Sequence, residues 1–355
     1  MRVLVALSGG VDSSVAAAEL VEQGHEVVAA TMKLWGGESD TGCCSVGDVE
    51  DARRSAAQLG IDHHVFNYTE EFDRHVVAPY AADHAAGLTP NPCVECNRHL
   101  KFDLFMRRAD LLGFDAIATG HHARIGRGAG GSLRIRRGAD AAKDQSYVLH
   151  PLLDGPLERV LFPIGHLEKS EVRERAARLG LRTAAKPDSQ DVCFITRRDG
   201  RRSFLAERIE LHPGQVLDTE GGSVGSVDAV ELVTIGQRRG LDLAGGGSRR
   251  FVTSVDVEGR VVTVGSEADL LVGHVTIGDV RLAHGIDPAC IDGKDLAAQT
   301  SAHGAAQPAR LSFHGAEPGT TVVRWRAPHR AVAPGQSVVV YDGDEVVASG
   351  VVSGT

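Results

Sequence analysis

Val3-Leu4-Val5-Ala6-Leu7 is a continuous apolar run too short for a helix, and it predicts a first strand buried on both faces of a parallel sheet. From Val11 the period changes: Val11, Val15, Ala18, Leu20 and Val21 recur at helical spacing until Gly24. Ser8-Gly9-Gly10 must therefore turn the chain. Glu26 to Met32 predicts a second strand, Asp48 to Leu59 a helix with Val49, Ala52, Ala56 and Leu59 on one face and Gly60 as its stop, Ile61 to Phe66 a third strand, and Glu70 to Ala86 a further helix. Between Gly87 and Asn97 prolines and cysteines interrupt the pattern, which predicts a loop. Helical spacing resumes with Phe102, Phe105, Ala109 and Leu112, and Asp115 to Ala118 predicts a fourth strand running into Thr119-Gly120-His121-His122. Strands alternating with helices predict an α/β domain with a doubly wound parallel sheet, whose ligands sit beyond the carboxyl ends of the strands. Ser8, Met32 and Gly120 all fall there.

Beyond Gly126, Leu133 to Arg137 predicts a strand, Lys143 to Tyr147 a polar loop leading into a helix, and Val172, Ala176 and Leu179 a helical face ended by Gly180. From about Arg201 the pattern becomes short Val-rich runs separated by Gly, Pro and Asp: Val230 to Ile235, Phe251 to Val257, Val261 to Val264, Thr321 to Trp325 and Ser337 to Tyr341. These predict strands, and a break near Leu270 to Gly278 divides them into two small all-β modules. The expected organisation is an α/β domain over 1–200, a central β domain over 201–269 and a C-terminal β-barrel-like domain over 270–355.

With 355 residues, 42% hydrophobic and 24% charged, the chain has room for two or three ordinary globular domains. No apolar run approaches the length of a membrane span, nothing resembles a signal peptide, and six cysteines are too sparse for a secreted disulfide framework. A cytoplasmic protein without a membrane partner is expected. The net charge of −9 argues against a uniformly basic surface, but the charge is uneven. His121 to Lys143 carries six basic residues against one acidic, and Ser301 to Gly335 carries Arg310, Arg324, Arg326 and Arg330 against Glu317 alone. The first of these reads equally as a nucleic-acid contact or as a solvated arginine hairpin.

The turn after the first strand carries the chemistry. In Ser8-Gly9-Gly10-Val11-Asp12-Ser13-Ser14 the glycines let backbone amides point inward, and the helix N-terminus adds partial positive charge, so the loop can hold phosphate. It is neither GxxxxGK[ST] nor GxGxxG. It resembles the pyrophosphate loop of the N-type ATP pyrophosphatases. That resemblance implies ATP with its phosphates on Ala6, Leu7, Ser8, Gly9, Gly10, Val11, Asp12 and Ser13, Mg²⁺ near Asp12, and the adenosine beside Met32 and Gly120.

Further motifs extend the likeness along nearly the whole chain: Met32-Lys33-Leu34-Trp35, Thr89-Pro90-Asn91-Pro92 with Cys96-Asn97, Lys143-Asp144-Gln145-Ser146-Tyr147, Asp188 to Ile195 around Cys193, Thr234-Ile235-Gly236-Gln237-Arg238, and Pro334-Gly335-Gln336-Ser337. Together these resemble the tRNA-specific 2-thiouridylases, whose fold is adenine nucleotide alpha hydrolase-like. The resemblance implies ATP-dependent thiolation of the wobble uridine of tRNA, with release of AMP and pyrophosphate and with sulfur arriving as a persulfide from a donor protein. Cys193 matches the persulfide cysteine and Cys96 the second catalytic cysteine, which resolves it by disulfide exchange. The family match assigns tRNA contact to His121, Lys143, Asp144, Gln145, Arg310 and Gln336, with Asn91, Pro92 and Cys93 facing the target base. Several members carry an acidic residue where this chain has Cys93. The resulting CxxC opens a second arrangement, a [4Fe-4S] cluster on Cys93, Cys96 and Cys193 as sulfur carrier. A nucleotide-gated RNA-binding protein without chemistry is the remaining alternative, against which Cys96 and Cys193 speak. Cys43, Cys44 and Cys290 read as structural or incidental, and His63-His64 as lining a strand. The C-terminal β module is expected to grip tRNA while the first domain does the chemistry, so removing residues from about Leu270 should spare ATP binding.

Overall fold

A computed structural model describes residues 1–35, 46–188, 192–195, 200–243, 249–313 and 320–354. Cys43 and Cys44 lie outside the described residues. The first strand, β1 (Arg2–Ala6), is the centre of a parallel sheet with β2 (Glu26–Lys33), β3 (His63–Asn67), β4 (Ala116–Ala118) and, further along the chain, β7 (Val160–Leu161), in the order β3-β2-β1-β4-β7. Val5 stands in register with Ala29 on one side and Ala118 on the other. Val3, Leu4 and Val5 are wholly buried, as a continuous apolar run between two neighbours requires, and each such side chain contributes about 1.5–3 kcal/mol over its exposed state. Helices α1 (Val11–Glu22) and α2 (Val46–Leu59) follow their strands, and His63 and His64 line β3. The strand order reverses between β1 and β4, so the crevice at their carboxyl ends is where a doubly wound sheet takes a ligand.

The stretch expected to be a loop up to Asn97 is helical from Pro92. Asn91 Oδ1 accepts a hydrogen bond from Cys93 N at 3.1 Å and Pro92 occupies the first turn, so an N-cap followed by a proline starts a helix in a stretch without apolar periodicity. The helix runs over 92–111, and Cys96–Leu104 within it is π-wound. Such π segments are frequent at functional sites. A second helix, over 69–85, is also π-wound in its middle at Asp73–Val77.

The basic segment after β4 forms a hairpin, β5 (Ala123–Arg127) with β6 (Leu133–Arg137), that leaves the parallel sheet. It continues a sheet at the far end of the chain made of β13 (Leu271–Leu282), β14 (Asp295–Gln299), β15 (Gln307–Ser312), β16 (Thr321–Arg330), β17 (Ser337–Asp342) and β18 (Glu345–Gly354). Because β13 pairs with both β16 and β18, those six strands close into a barrel, and Glu345 of β18 stands against Arg136 of β6. The hairpin arginines are held inside the chain: Arg124 reaches Asp344 at 2.9 Å, Arg136 pairs with Glu345, and the Arg137 guanidinium lies 3.7 Å from the Tyr341 ring centre while bonding Asp144 at 2.7 Å. Tyr147, wholly buried, donates to Ser337 O at 2.9 Å.

Between these bodies lies a five-stranded sheet, ordered β10-β9-β8-β12-β11, from β8 (Gly214–Asp218), β9 (Ser223–Val227), β10 (Asp242–Leu243), β11 (Phe251–Asp256) and β12 (Val261–Gly265), around a core of Val216, Val230, Val252, Val262 and Val264. Two strand expectations change. Val230–Leu232 is a 3₁₀ turn, because the buried Glu231 carboxylate bends back to accept from His212 N at 3.0 Å and to bond its Nδ1 at 2.8 Å. The expected break over 270–278 is instead the long strand β13, whose backbone pairing with β16 and β18 carries through Gly273 and Gly278, where an added Cβ would meet open space. Among the described residues no helix is long and apolar enough to cross a membrane.

Candidate active site

The loop after β1 is closed by its own serines. Ser8 N donates to Ser13 Oγ at 3.1 Å, Ser13 Oγ donates to Gly10 O at 3.2 Å, and Ser14 Oγ donates to the same carbonyl at 2.9 Å. Gly9 has φ +73°, and a Cβ there would come 2.2 Å from Asp48 O. Gly120, on the turn after β4, has the loop backbone directly against it: a Cβ would lie 2.6 Å from Ser13 N. Gly10 differs. Its nearest neighbour to a built Cβ is Ser8 Oγ at 3.5 Å, so the backbone at this N-cap stays open to an incoming group. The sheet thus brings Ser8, Gly9, Gly10, Val11, Asp12, Ser13 and Gly120 together, with Ala6 and Leu7 buried beneath them and Met32 buried at the end of β2.

No lysine stands in the loop sequence, yet two reach it from the region after β7. Lys169, the first residue of the helix Lys169–Arg178, places Nζ 2.7 Å from both carboxylate oxygens of Asp12 and 2.9 Å from Asp188. Lys186 Nζ donates to Gly9 O at 2.9 Å and pairs with Asp48 and Asp51, each at 2.7 Å. His122 Nε2 lies 3.3 Å from Asp12. Burial alone would push the Asp12 carboxyl up; hydrogen bonds from His122 and Lys169 outweigh it and hold the group below the usual range. Burial acts the same way on Asp188, and Lys143 and Lys169 bring it down to about 2. An ionised Asp12 beside open backbone amides fits Mg²⁺ held by one carboxylate together with nucleotide phosphates, the usual mode for that ion. Lys169, Lys186 and His122 were not legible as site residues, because they sit far from the loop in sequence and in no pattern of their own.

Cys96 is buried at the start of the π-wound segment, and Cys93 is half-buried one turn earlier. Cys193 is half-buried and packs, with Val192 and Ile195, against the same apolar cluster that contains Cys96, Met32, Tyr80 and Phe194. The two sequence-predicted cysteines are therefore brought to one cluster. Among the described residues no group of three or more His, Cys, Asp or Glu side chains is placed to hold a metal ion.

The residues expected to face tRNA divide by exposure. Lys143 is partly exposed and pairs with Asp188 at 2.8 Å; Arg310 is exposed and shares Asp295 with Arg326. Asn91 caps the helix that carries Cys96, and Pro92 is buried in its first turn. Asp144 is turned inward, accepting from Gly138 N, Ser146 N and Arg137, and Gln145 accepts from His122 N at 2.9 Å. His121 is buried between Phe102 and Phe162 with Nδ1 2.7 Å from Thr119 Oγ1. Burial, with Lys101 and His122 nearby, pushes its imidazole well below the ordinary value. Gln336 reaches across from the barrel to donate to Thr89 O.

Residues 1–197 match the model of the tRNA methyl transferase HUP domain, 202–266 that of the tRNA methyl transferase PRC-barrel domain, and 292–352 that of the aminomethyltransferase beta-barrel domain. The tRNA-specific 2-thiouridylase MnmA of Roseiflexus sp. (strain RS-1) is 44% identical, covering 98% of each chain. The protein of the same name from Beutenbergia cavernae is 45% identical over 100% of this chain and 95% of its own. The chain belongs to the tRNA-specific 2-thiouridylase family. It is accordingly a tRNA-thiolating enzyme with an α/β nucleotide-binding domain followed by two β modules.

Proposed function

We propose that this chain adenylates the wobble uridine of tRNA with ATP and replaces its 2-oxygen by sulfur carried on Cys193. The α-phosphorus of ATP bonds to uridine O2 and pyrophosphate leaves, turning a poor leaving group into a good one. The terminal sulfur of a Cys193 persulfide, loaded by a donor protein, then bonds C2, and AMP departs with the oxygen. The Cys96 thiolate attacks the Cys193 sulfur, the bond to the transferred sulfur breaks with its electron pair going to the product, and the two cysteines are left as a disulfide. An external thiol reductant restores them. The open Gly10 backbone and Lys169 suit the phosphates, and Mg²⁺ beside Asp12 would offset charge on the leaving pyrophosphate.

The observation that carries this reading is that Cys96 and Cys193, distant in sequence, pack against one apolar cluster that also contains Met32 at the carboxyl end of β2. The test is Cys193→Ser and Cys96→Ser in separate proteins. Neither change touches the nucleotide loop, so AMP transfer to tRNA should persist while 2-thiouridine formation stops. Full thiolation by Cys193→Ser would refute the assignment.

A further inference from the structure

Cys193 stands in a tight turn: Ile195 N donates to Val192 O at 3.3 Å, with Cys193 and Phe194 as the two central residues. Their surroundings differ. Phe194 is 3% exposed, whereas Cys193 is only half-buried. The Phe194 ring fills a socket of four aromatic rings brought from separate elements. Trp35, just beyond β2, lies 6.2 Å from it between ring centres, and Phe204, in the helix Gly200–Ala206, lies at 5.1 Å. Phe72 and Tyr80, on either side of the π-wound turn in the helix over 69–85, meet it edge to face at 5.6 and 5.5 Å. Such pairs fix a ring's orientation as well as its depth, because the positive edge of one ring seeks the negative face of the other. The thiol one peptide bond away therefore cannot shift without drawing the ring from its socket.

We infer that Phe194 is a positioning residue for sulfur release: seated in this socket, it sets where the Cys193 thiol stands relative to Cys96 on their shared apolar cluster. The inference rests on the proposed exchange between those two cysteines. Two thiols held by one fold meet at an effective concentration far above that of freely moving groups, and this quantity falls steeply when either thiol is displaced. A residue that only adds stability would not alter it in protein kept well below its melting temperature.

The measurement is the equilibrium of reduced full-length protein with glutathione and glutathione disulfide, without ATP or tRNA and well below each variant's melting temperature. Cys96 and Cys193 give up two electrons and two protons to one glutathione disulfide, which leaves as two glutathione thiols. The linked Cys96–Cys193 peptide, quantified by mass spectrometry, gives the effective concentration. Phe194→Ala should lower it by about tenfold or more and lower thiolation with it, while AMP transfer to tRNA stays as in the unaltered protein. Phe194→Leu, which keeps an apolar anchor in the socket, should recover most of the loss. Trp35→Leu opens the socket at its half-buried rim, should act in the same direction, and carries the test if Phe194→Ala does not fold. An unchanged effective concentration in the folded variant, or a loss matched by an equal loss of AMP transfer, overturns the positioning role alone. Absence of the Cys96–Cys193 disulfide from the unaltered protein at every glutathione ratio would overturn the functional reading with it.

Discussion

Thr89 and Thr234 meet hydroxyl to hydroxyl at 2.6 Å, across the boundary between the nucleotide domain and the central β sheet. The same Thr89 donates its N–H to Pro334 O at 2.8 Å and receives Gln336 Nε2 at its carbonyl, while Gly335, at φ +88°, lets the barrel backbone approach it. Three motifs far apart in sequence thus close on one residue, just before the Asn91-capped helix that presents Cys93 and Cys96. Thr234→Val keeps the shape but leaves the Thr89 hydroxyl without this partner. It should cost about 1–3 kcal/mol in urea unfolding and lower thiolation more than AMP transfer. Equal thiolation and stability in that variant would show the junction to be idle.

The glycines of the phosphate crevice should separate by what surrounds them. At Gly10 an added Cβ meets nothing closer than Ser8 Oγ at 3.5 Å, so Gly10→Val places its side chain without a backbone clash at the Cβ and where phosphate is expected to approach. It should fold with an unaltered melting temperature and lose ATP binding in calorimetry. Gly120→Ala drives a methyl group into the Ser13 backbone and should lose stability as well. Unchanged ATP affinity in Gly10→Val would remove the loop from the binding site.

Cys93 distinguishes the two sulfur carriers. In the persulfide scheme Cys93→Ser should keep measurable thiolation, slowed by no more than the roughly 10²–10⁴-fold that loss of a group assisting proton transfer costs. Anaerobically purified protein should then carry neither iron nor acid-labile sulfide. Stoichiometric iron and sulfide, lost in Cys93→Ser, would favour a cluster instead.

Removing the chain from Leu270 onward should not leave an intact nucleotide domain. The cut strips the β5–β6 hairpin of its partner strand, uncovers Tyr147, and leaves Arg136 and Arg124 without Glu345 and Asp344. The truncated chain is expected to aggregate or melt well below the full chain in calorimetry. A soluble truncation that binds ATP normally would restore the simpler division of labour expected from the strand pattern.

His150 ties stability to pH at the same seam. It is wholly enclosed, with Nε2 3.1 Å from Ser337 Oγ of the barrel, and burial lowers its imidazole from 6.5 to about 3. The unfolded chain therefore binds a proton below pH 6.5 that the folded chain refuses until about 3, so stability is full above 6.5 and falls as pH drops through that window. The contribution is about 1.4 kcal/mol per pH unit. Urea unfolding at pH 7 and pH 5 should show the loss, and His150→Gln should reduce it, leaving the part that the other buried imidazoles, His121 and His84, contribute with the same sign.

The local pattern was enough for what depends on neighbours in sequence. An apolar run followed by Gly-Gly and a helical period can only be a strand, a turn and a helix, so the parallel sheet, its anion loop and the glycine at the end of β4 were legible from the residues. The cysteine and motif residues were legible only by likeness to a family, since two thiols nearly a hundred residues apart carry no local sign of meeting. Long-range pairing decided the rest. The arginines over 121–143 read equally as a nucleic-acid contact or as a solvated hairpin because the segment itself holds a single acid, whereas the fold brings Asp344 and Glu345 to them. Asp144 and His121 were marked as tRNA contacts only by the family likeness, and that the fold turns both side chains inward was not legible in the sequence. Lys169 and Lys186 supply the cations that the phosphate loop lacks, and no periodicity could place them there, because an ion pair depends on distance in space rather than on spacing along the chain.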